Sequence, residues 1–195
     1  MTAGGAVTDD PAAEAMTPGM ERVLELLKSR RWIYTCLRTN IAQPEDVVVS
    51  ETGFRKARLA SNVVGPRETA LREAIKAISP VEWDEGFKIL VNKNVTCKPH
   101  KDRGNVGVSY CLWLGDFRGG ALVFDGGRRV EGKNVWHVLD GKEIHWNEPH
   151  VHDKYSVIIY KSGVFRPKAK LIEAAKRRRV QLSELRRSAN SAIET

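Results

Sequence analysis

The chain has little cysteine. Three cysteines, Cys36, Cys97 and Cys111, stand among 195 residues, too few for a disulfide framework. That sparse use favours a reducing, intracellular setting, cytoplasmic or nuclear. No apolar run approaches the length needed to span a bilayer, so no membrane role is expected. The opening stretch MTAGGAVTDDPAAEAM lacks the basic start and apolar centre of a secretory signal, and residues 1–16 read as a flexible tail. No internal repeat is visible. Histidine is also scarce, at five, so the placement of each one carries weight.

What is present is a balanced body and a basic end. Hydrophobic residues make up 42% and charged residues 29%, which suits a globular protein with one core. The net charge of +8 resides in residues 161–187, where ten lysines and arginines face Glu173 and Glu184. A neutral body with a basic end suggests polyanion binding, so DNA or RNA is an expected partner of that segment. KRRR at 176–179 also matches a nuclear import signal, and a solvated helix face is the plainer alternative.

Thr17-Pro18 has the form of a helix start, and Met20, Val23, Leu24 and Leu27 recur at helical spacing, with an end near Arg30. RWIYTCL at 31–37 reads as a strand, and VVVSE at 47–51 as a short one. Pro66 opens a second expected helix with a stripe of Leu71, Ala74, Ile75 and Ile78. From residue 86 the pattern becomes a run of short strands at 87–94, 108–115, 120–125, 134–139, 142–146 and 154–161, separated by turn residues. Such spacing predicts an antiparallel sandwich or barrel, with Asp140-Gly141 as a hairpin turn. A basic helix over about 167–188 closes the chain. The expected class is α+β: a double-stranded β-helix, or jelly roll, with supporting N-terminal helices and a basic C-terminal helix. The expected divisions are 1–16, a core domain at 17–165 and a basic segment at 166–195.

His100 and Asp102, in CKPHKDRGNVG, stand at i and i+2 and share one side of an extended chain. A second histidine from a later strand would complete a two-histidine, one-carboxylate set, which holds Fe(II) on one face and leaves open positions on the other. His137, His145, His150 and His152 are available. His145 is favoured because it stands nine residues before Lys154, a separation that would let two strands pair and bring histidine and lysine side by side. Ser156 follows Lys154 on the same strand face. A cation and a hydroxyl beside a metal suit one end of a dicarboxylate.

The order His100-x-Asp102, LWLGDFRGGALVF, His145-W-N-E-P and Lys154-Y-Ser156-V-I-I-Y resembles the 2-oxoglutarate/Fe(II) dioxygenases over residues 87–161. Within them it is most similar to the branch of ten-eleven-translocation methylcytosine dioxygenases and base-J thymine hydroxylases. The resemblance implies a double-stranded β-helix with His100, Asp102 and His145 as iron ligands. It implies Lys154 as the partner of 2-oxoglutarate, Ser156 as its helper, and Asn92, Asn94 and Tyr110 as further cosubstrate contacts. Fe(II), 2-oxoglutarate and O2 are the implied cofactors, and hydroxylation of a C–H bond the activity, on that branch a methyl group of a nucleic-acid base. A base must leave the stack to react, and Arg103, Arg118, Arg128 and Arg129 stand in loops able to meet phosphates. The chain departs from the branch in carrying lysine, a point charge, where arginine is usual.

Two other classes stay open. The same fold serves protein and small-molecule hydroxylases. A non-enzymatic reading takes the jelly roll as a binding module, or gathers Cys97, His100, His150 and His152 around structural zinc.

Overall fold

In the computed structural model the described residues are 14–34 and 38–163. Most of the expected tail and all of the basic segment at 166–195, with the helix expected there, lie outside them. Helix α1 (Pro18–Ser29) starts where its sequence says: the Thr17 side chain accepts from the backbone N–H of Met20, with proline in the first turn. Strands β1 (Val47–Val49) and β2 (Arg55–Ala57) form a small hairpin. Strand β3 (Ala60–Val63) and helix α2 (Thr69–Ala77) follow. Then come β4 (Phe87–Lys93), β5 (Asn105–Gly115), β6 (Arg118–Gly119), β7 (Leu122–Phe124), β8 (Arg129–Val130), β9 (Trp136–Leu139), β10 (His145–Asn147), β11 (His150–Val151) and β12 (Lys154–Ser162).

The jelly roll is visible in the strand order. One sheet runs β3-β4-β12-β5-β9, antiparallel throughout. The opposing layer runs β10-β7-β8, with β11 on β6, and His100 bridges onto His145 at its edge. The chain therefore alternates between layers: β4, His100, β5, β7 and β8, β9, β10, β12. Among the described residues, five of the eight strand pairings join strands that are not neighbours in sequence, as interlocked Greek keys require.

Alternation along β12 shows how the sequence builds two faces. Tyr155, Val157 and Ile159 are at most 1% exposed and pack against Val23, Leu27 and Ile75 of the helices, together with Ile89 and Leu112 of the neighbouring strands. Burying each such side chain contributes about 1.5–3 kcal/mol over leaving it in water. Lys154, Ser156 and Ile158 point the other way, toward the opposing layer. There Cys111, Trp113, Phe117, Leu122, Phe124 and Leu139 form a second apolar cluster, and the space between the layers stays partly open.

Several expectations give way. Arg31–Tyr34 forms no strand; instead the Asn62 amide on β3 bonds both backbone groups of Ile33, at 3.1 and 2.8 Å, so a side chain replaces the ladder. Residues 35–37, Cys36 among them, lie outside the described residues. Helix α2 begins at Thr69 rather than Pro66, because Glu68 turns back to accept from the Gly65 N–H. Asp140-Gly141 is no hairpin: β9 and β10 belong to opposite layers, so the turn carries the chain across the molecule. No helix among the described residues is long and apolar enough to cross a membrane.

Candidate metal centre

Pro99 disfavours a helical conformation at Lys98, and this extended stretch lies along β10. The Cys97 carbonyl accepts from the Asn147 N–H at 3.1 Å, and His100 and His145 exchange both backbone hydrogen bonds. Their rings come to 4.4 Å between centroids. Each ring is oriented in the same way: Nδ1 of His100 lies 2.8 Å from the Lys98 carbonyl, and Nδ1 of His145 lies 2.8 Å from the Glu143 carbonyl. A carbonyl only accepts, so each Nδ1 carries a proton, and in the neutral ring Nε2 keeps the lone pair.

Asp102 completes the set. Its Oδ1 is 3.9 Å from Nε2 of His100, and its Oδ2 is 4.0 Å from Nε2 of His145. The three ligand atoms lie within 4.8 Å of one another, and small rotations bring them to the ~2 Å bonds a transition metal makes. Burial, then the neighbouring His145, push the pKa of His100 below the ordinary histidine value, against the Lys98 carbonyl and Asp102. A neutral imidazole is the form that binds a metal. The donor set and its second-sphere carbonyls fit a divalent ion.

The triad opens onto a cavity lined among others by Asn92, Trp113, Asn147, Ser156 and Ile158. Ser156 and Asn92 face each other across the β12–β4 pairing. Asn92 Oδ1 is buried and unbonded, an acceptor waiting for a donor.

Lys154 is not beside His145. The two strands lie in opposite layers, with His145 opposite Phe124 and Lys154 opposite Gly115. Lys154 is 3% exposed. Its ammonium donates to the Gly120 carbonyl and sits 4.8 and 4.9 Å from the rings of Trp113 and Phe117. It does not line the cavity, although Trp113 beside it does. Burial lowers its pKa to about 8. Among the described residues no carboxylate pairs with it.

Two expected contacts are turned elsewhere. Tyr110 points to the helical side of its sheet and packs with the core there. Asn94 has φ of 52° and ties Asp153 and the Lys154 N–H, each at 2.7 Å. The zinc alternative is not assembled: among the described residues His100, Asp102 and His145 form the metal-competent group, while His150 lies on β11 opposite Gly119. Arg128 and Arg129 are engaged with Glu143, Glu131 and Glu148; Arg103 and Arg118 are exposed.

Sequence reasoning passed over Asn147, Trp113 and Arg38. Asn147 stands at i+2 from His145, the same parity that paired His100 with Asp102, so its place was legible. Arg38 carried no such signal, because it reaches the site from an irregular loop.

No protein-family model matches the chain, and no curated protein matches it in sequence. Among solved structures it is similar to an RmlC-like cupin protein from Desulfovibrio desulfuricans, with 15% identity, a TM-score of 0.36, 61% of this chain covered and 92% of that one. It is also similar to a Pseudomonas putida prolyl-4-hydroxylase, with 19% identity, a TM-score of 0.38, 54% of this chain covered and 69% of that one. The double-stranded β-helix rests on the strand order itself.

Proposed function

We propose that the protein is an Fe(II)- and 2-oxoglutarate-dependent oxygenase that hydroxylates a C–H bond. The observation that carries this reading is the convergence of His100, Asp102 and His145, each histidine with its Nδ1 against a backbone carbonyl, at a cavity between the layers of a jelly roll. Fe(II) and 2-oxoglutarate, when bound, supply O2 activation coupled to decarboxylation of the cosubstrate to succinate.

The chain's residues supply geometry and surroundings. His100, Asp102 and His145 would hold the ion by one face. Lys154 stands behind Trp113, outside the cavity lining, and would have to turn from the Gly120 carbonyl to pair with the distal carboxylate of the cosubstrate; it is a buried cation without a carboxylate among the described residues, and burying such a charge without one is costly. Ser156 would donate to the same carboxylate. Trp113, Leu122 and Phe124 line the walls and limit water near the reacting atoms.

The first substrate to test is a methyl group on a nucleic-acid base, 5-methylcytosine or thymine. Its support is the charge of residues 161–187 in the sequence, which would hold DNA or RNA through phosphates. Such a protein would work inside the cell, in cytoplasm or nucleus. The metal centre itself suits a peptide or metabolite equally.

Anaerobic binding of Fe(II) and 2-oxoglutarate, followed by succinate release on admitting air, tests the activity. Release stimulated by methylated DNA supports the base substrate. Release indifferent to DNA and stimulated by peptide overturns the base and keeps the oxygenase. Absence of cosubstrate binding overturns the oxygenase and leaves a jelly-roll binding module.

A further inference from the structure

We infer that Arg38 is the positioning residue of the metal carboxylate, holding Asp102 so that it offers a single oxygen to the ion. The inference rests on the metal reading of the site. Arg38 Nη2 donates to Asp102 Oδ1 at 2.8 Å. Asp102 is thereby committed at one oxygen, while Oδ2 remains directed to the side of His145. A free carboxylate can chelate an ion through both oxygens and take two coordination positions. One fixed by a guanidinium takes one. With two histidines that leaves three positions of an octahedral ion open, the number a bidentate cosubstrate and O2 require.

Two further contacts show that the position is built. The Ile41 N–H donates to the Arg38 carbonyl at 3.2 Å, and the Ile41 carbonyl accepts from the Lys98 N–H at 3.0 Å. Ile41 and Ala42 are buried with Cys97. The loop bearing Arg38 is thus fastened to the segment that carries His100. On the other side, the Asp102 N–H donates to the Gly141 carbonyl at 2.7 Å, and a Cβ at Gly141 would lie 3.0 Å from Asp102 Cβ and 3.4 Å from Oδ2. The carboxylate is held between a guanidinium and a bare stretch of backbone.

The sign of the effect separates positioning from plain electrostatics. A guanidinium repels a divalent cation, so if charge were its whole contribution, removing it would tighten metal binding. If Arg38 positions Asp102, removing it weakens binding. The test is calorimetric titration of the full chain with Co(II), together with the visible absorption of bound Co(II), for the natural sequence, Arg38→Gln and Arg38→Lys. Arg38→Gln is expected to raise the Kd about 10–100-fold and to change the absorption envelope, which reports coordination number; Arg38→Lys recovers part of the affinity. A Kd unchanged or lowered in Arg38→Gln, with the same spectrum, overturns the inference and leaves the metal site standing. If the natural chain binds no Co(II), the metal reading itself falls. Should Arg38→Gln fail to fold, as judged by circular dichroism, Gly141→Ala probes the same carboxylate from its other side and is expected to weaken Co(II) binding in the same direction.

Discussion

His100 and His145 donate their backbone N–H groups to each other's carbonyls, at 3.0 and 2.9 Å, and this reciprocal pair sets two imidazoles side by side at the edge of the second layer. The main chain brings the two rings together. The site is therefore expected to persist without an ion, and ligand substitutions should remove metal binding while leaving the fold.

His100→Ala and Asp102→Ala are expected to abolish metal-dependent turnover, with a thermal midpoint within a few degrees of the natural chain. Asp102 is partly exposed, and the His100 backbone bridge survives truncation of the ring. Calorimetry with Fe(II) or Co(II) beside a thermal melt checks both halves. Retained 2-oxoglutarate turnover in both variants would show that His100 and Asp102 are not metal ligands.

Lys154 makes stability depend on pH. Its folded pKa, about 8, lies below the ordinary 10.5 because burial disfavours the charged form. The penalty is present in full below pH 8. It fades between 8 and 10.5, where the unfolded chain holds the proton more firmly than the folded one, so stability rises with pH across that window. Lys154→Met removes the charge and should stabilise the chain at pH 7 by roughly 1–3 kcal/mol, with the gain shrinking toward pH 10.5. Denaturant unfolding at several pH values measures it. The same variant is expected to lose 2-oxoglutarate affinity; tight binding retained by Lys154→Met would rule out its role as carboxylate partner.

Gly115 ends β5 with φ of +121°, and a Cβ there would stand 2.1 Å from the Asp153 carbonyl oxygen. Backbone, not a pliable side chain, blocks the space. Gly115→Ala should cost about 2–4 kcal/mol, read as a lowered denaturation midpoint. Asp153 leads into Lys154, so cosubstrate affinity should fall with it.

Ending the chain after Gly163 removes the basic segment. DNA and RNA affinity is expected to drop steeply and to lose most of its salt dependence, while succinate release in the absence of nucleic acid continues. Filter binding across a salt series checks this, and unchanged affinity would take the segment out of nucleic-acid binding.

The local elements were legible because their signals are local. Thr17, Pro18 and the apolar stripe of α1 lie within a few residues of one another, and hydrogen bonding and burial at that range follow from chain geometry. His100 and Asp102 were legible for the same reason, through the period-two parity of extended backbone. The strand-rich second half announced a sandwich, and alternation along β12 told which side chains share a face.

Layer assignment was beyond the sequence. Asp140-Gly141 has the form of a hairpin turn, yet it carries the chain from one sheet to the other, since a turn's own residues do not say which strand its exit will pair with. For that reason His145 and Lys154, close in sequence, lie in opposite layers, while His100 and His145, distant in sequence, share a bridge. Tyr110 was placed on a strand correctly and on the wrong face functionally, because the side carrying the helices is decided by packing. Arg38 was invisible for the deepest reason: an irregular loop has no periodicity, and its guanidinium meets Asp102 only once Ile41 and Ala42 have been buried against Cys97. The sequence by itself determined helix α1, the presence of α2, the strand-rich core and the shared side of His100 and Asp102. The tertiary structure decided which layer each strand joins, and so that His145 lies against His100 while Lys154 stands in the other sheet, since strand pairing depends on contacts between residues that only folding brings together.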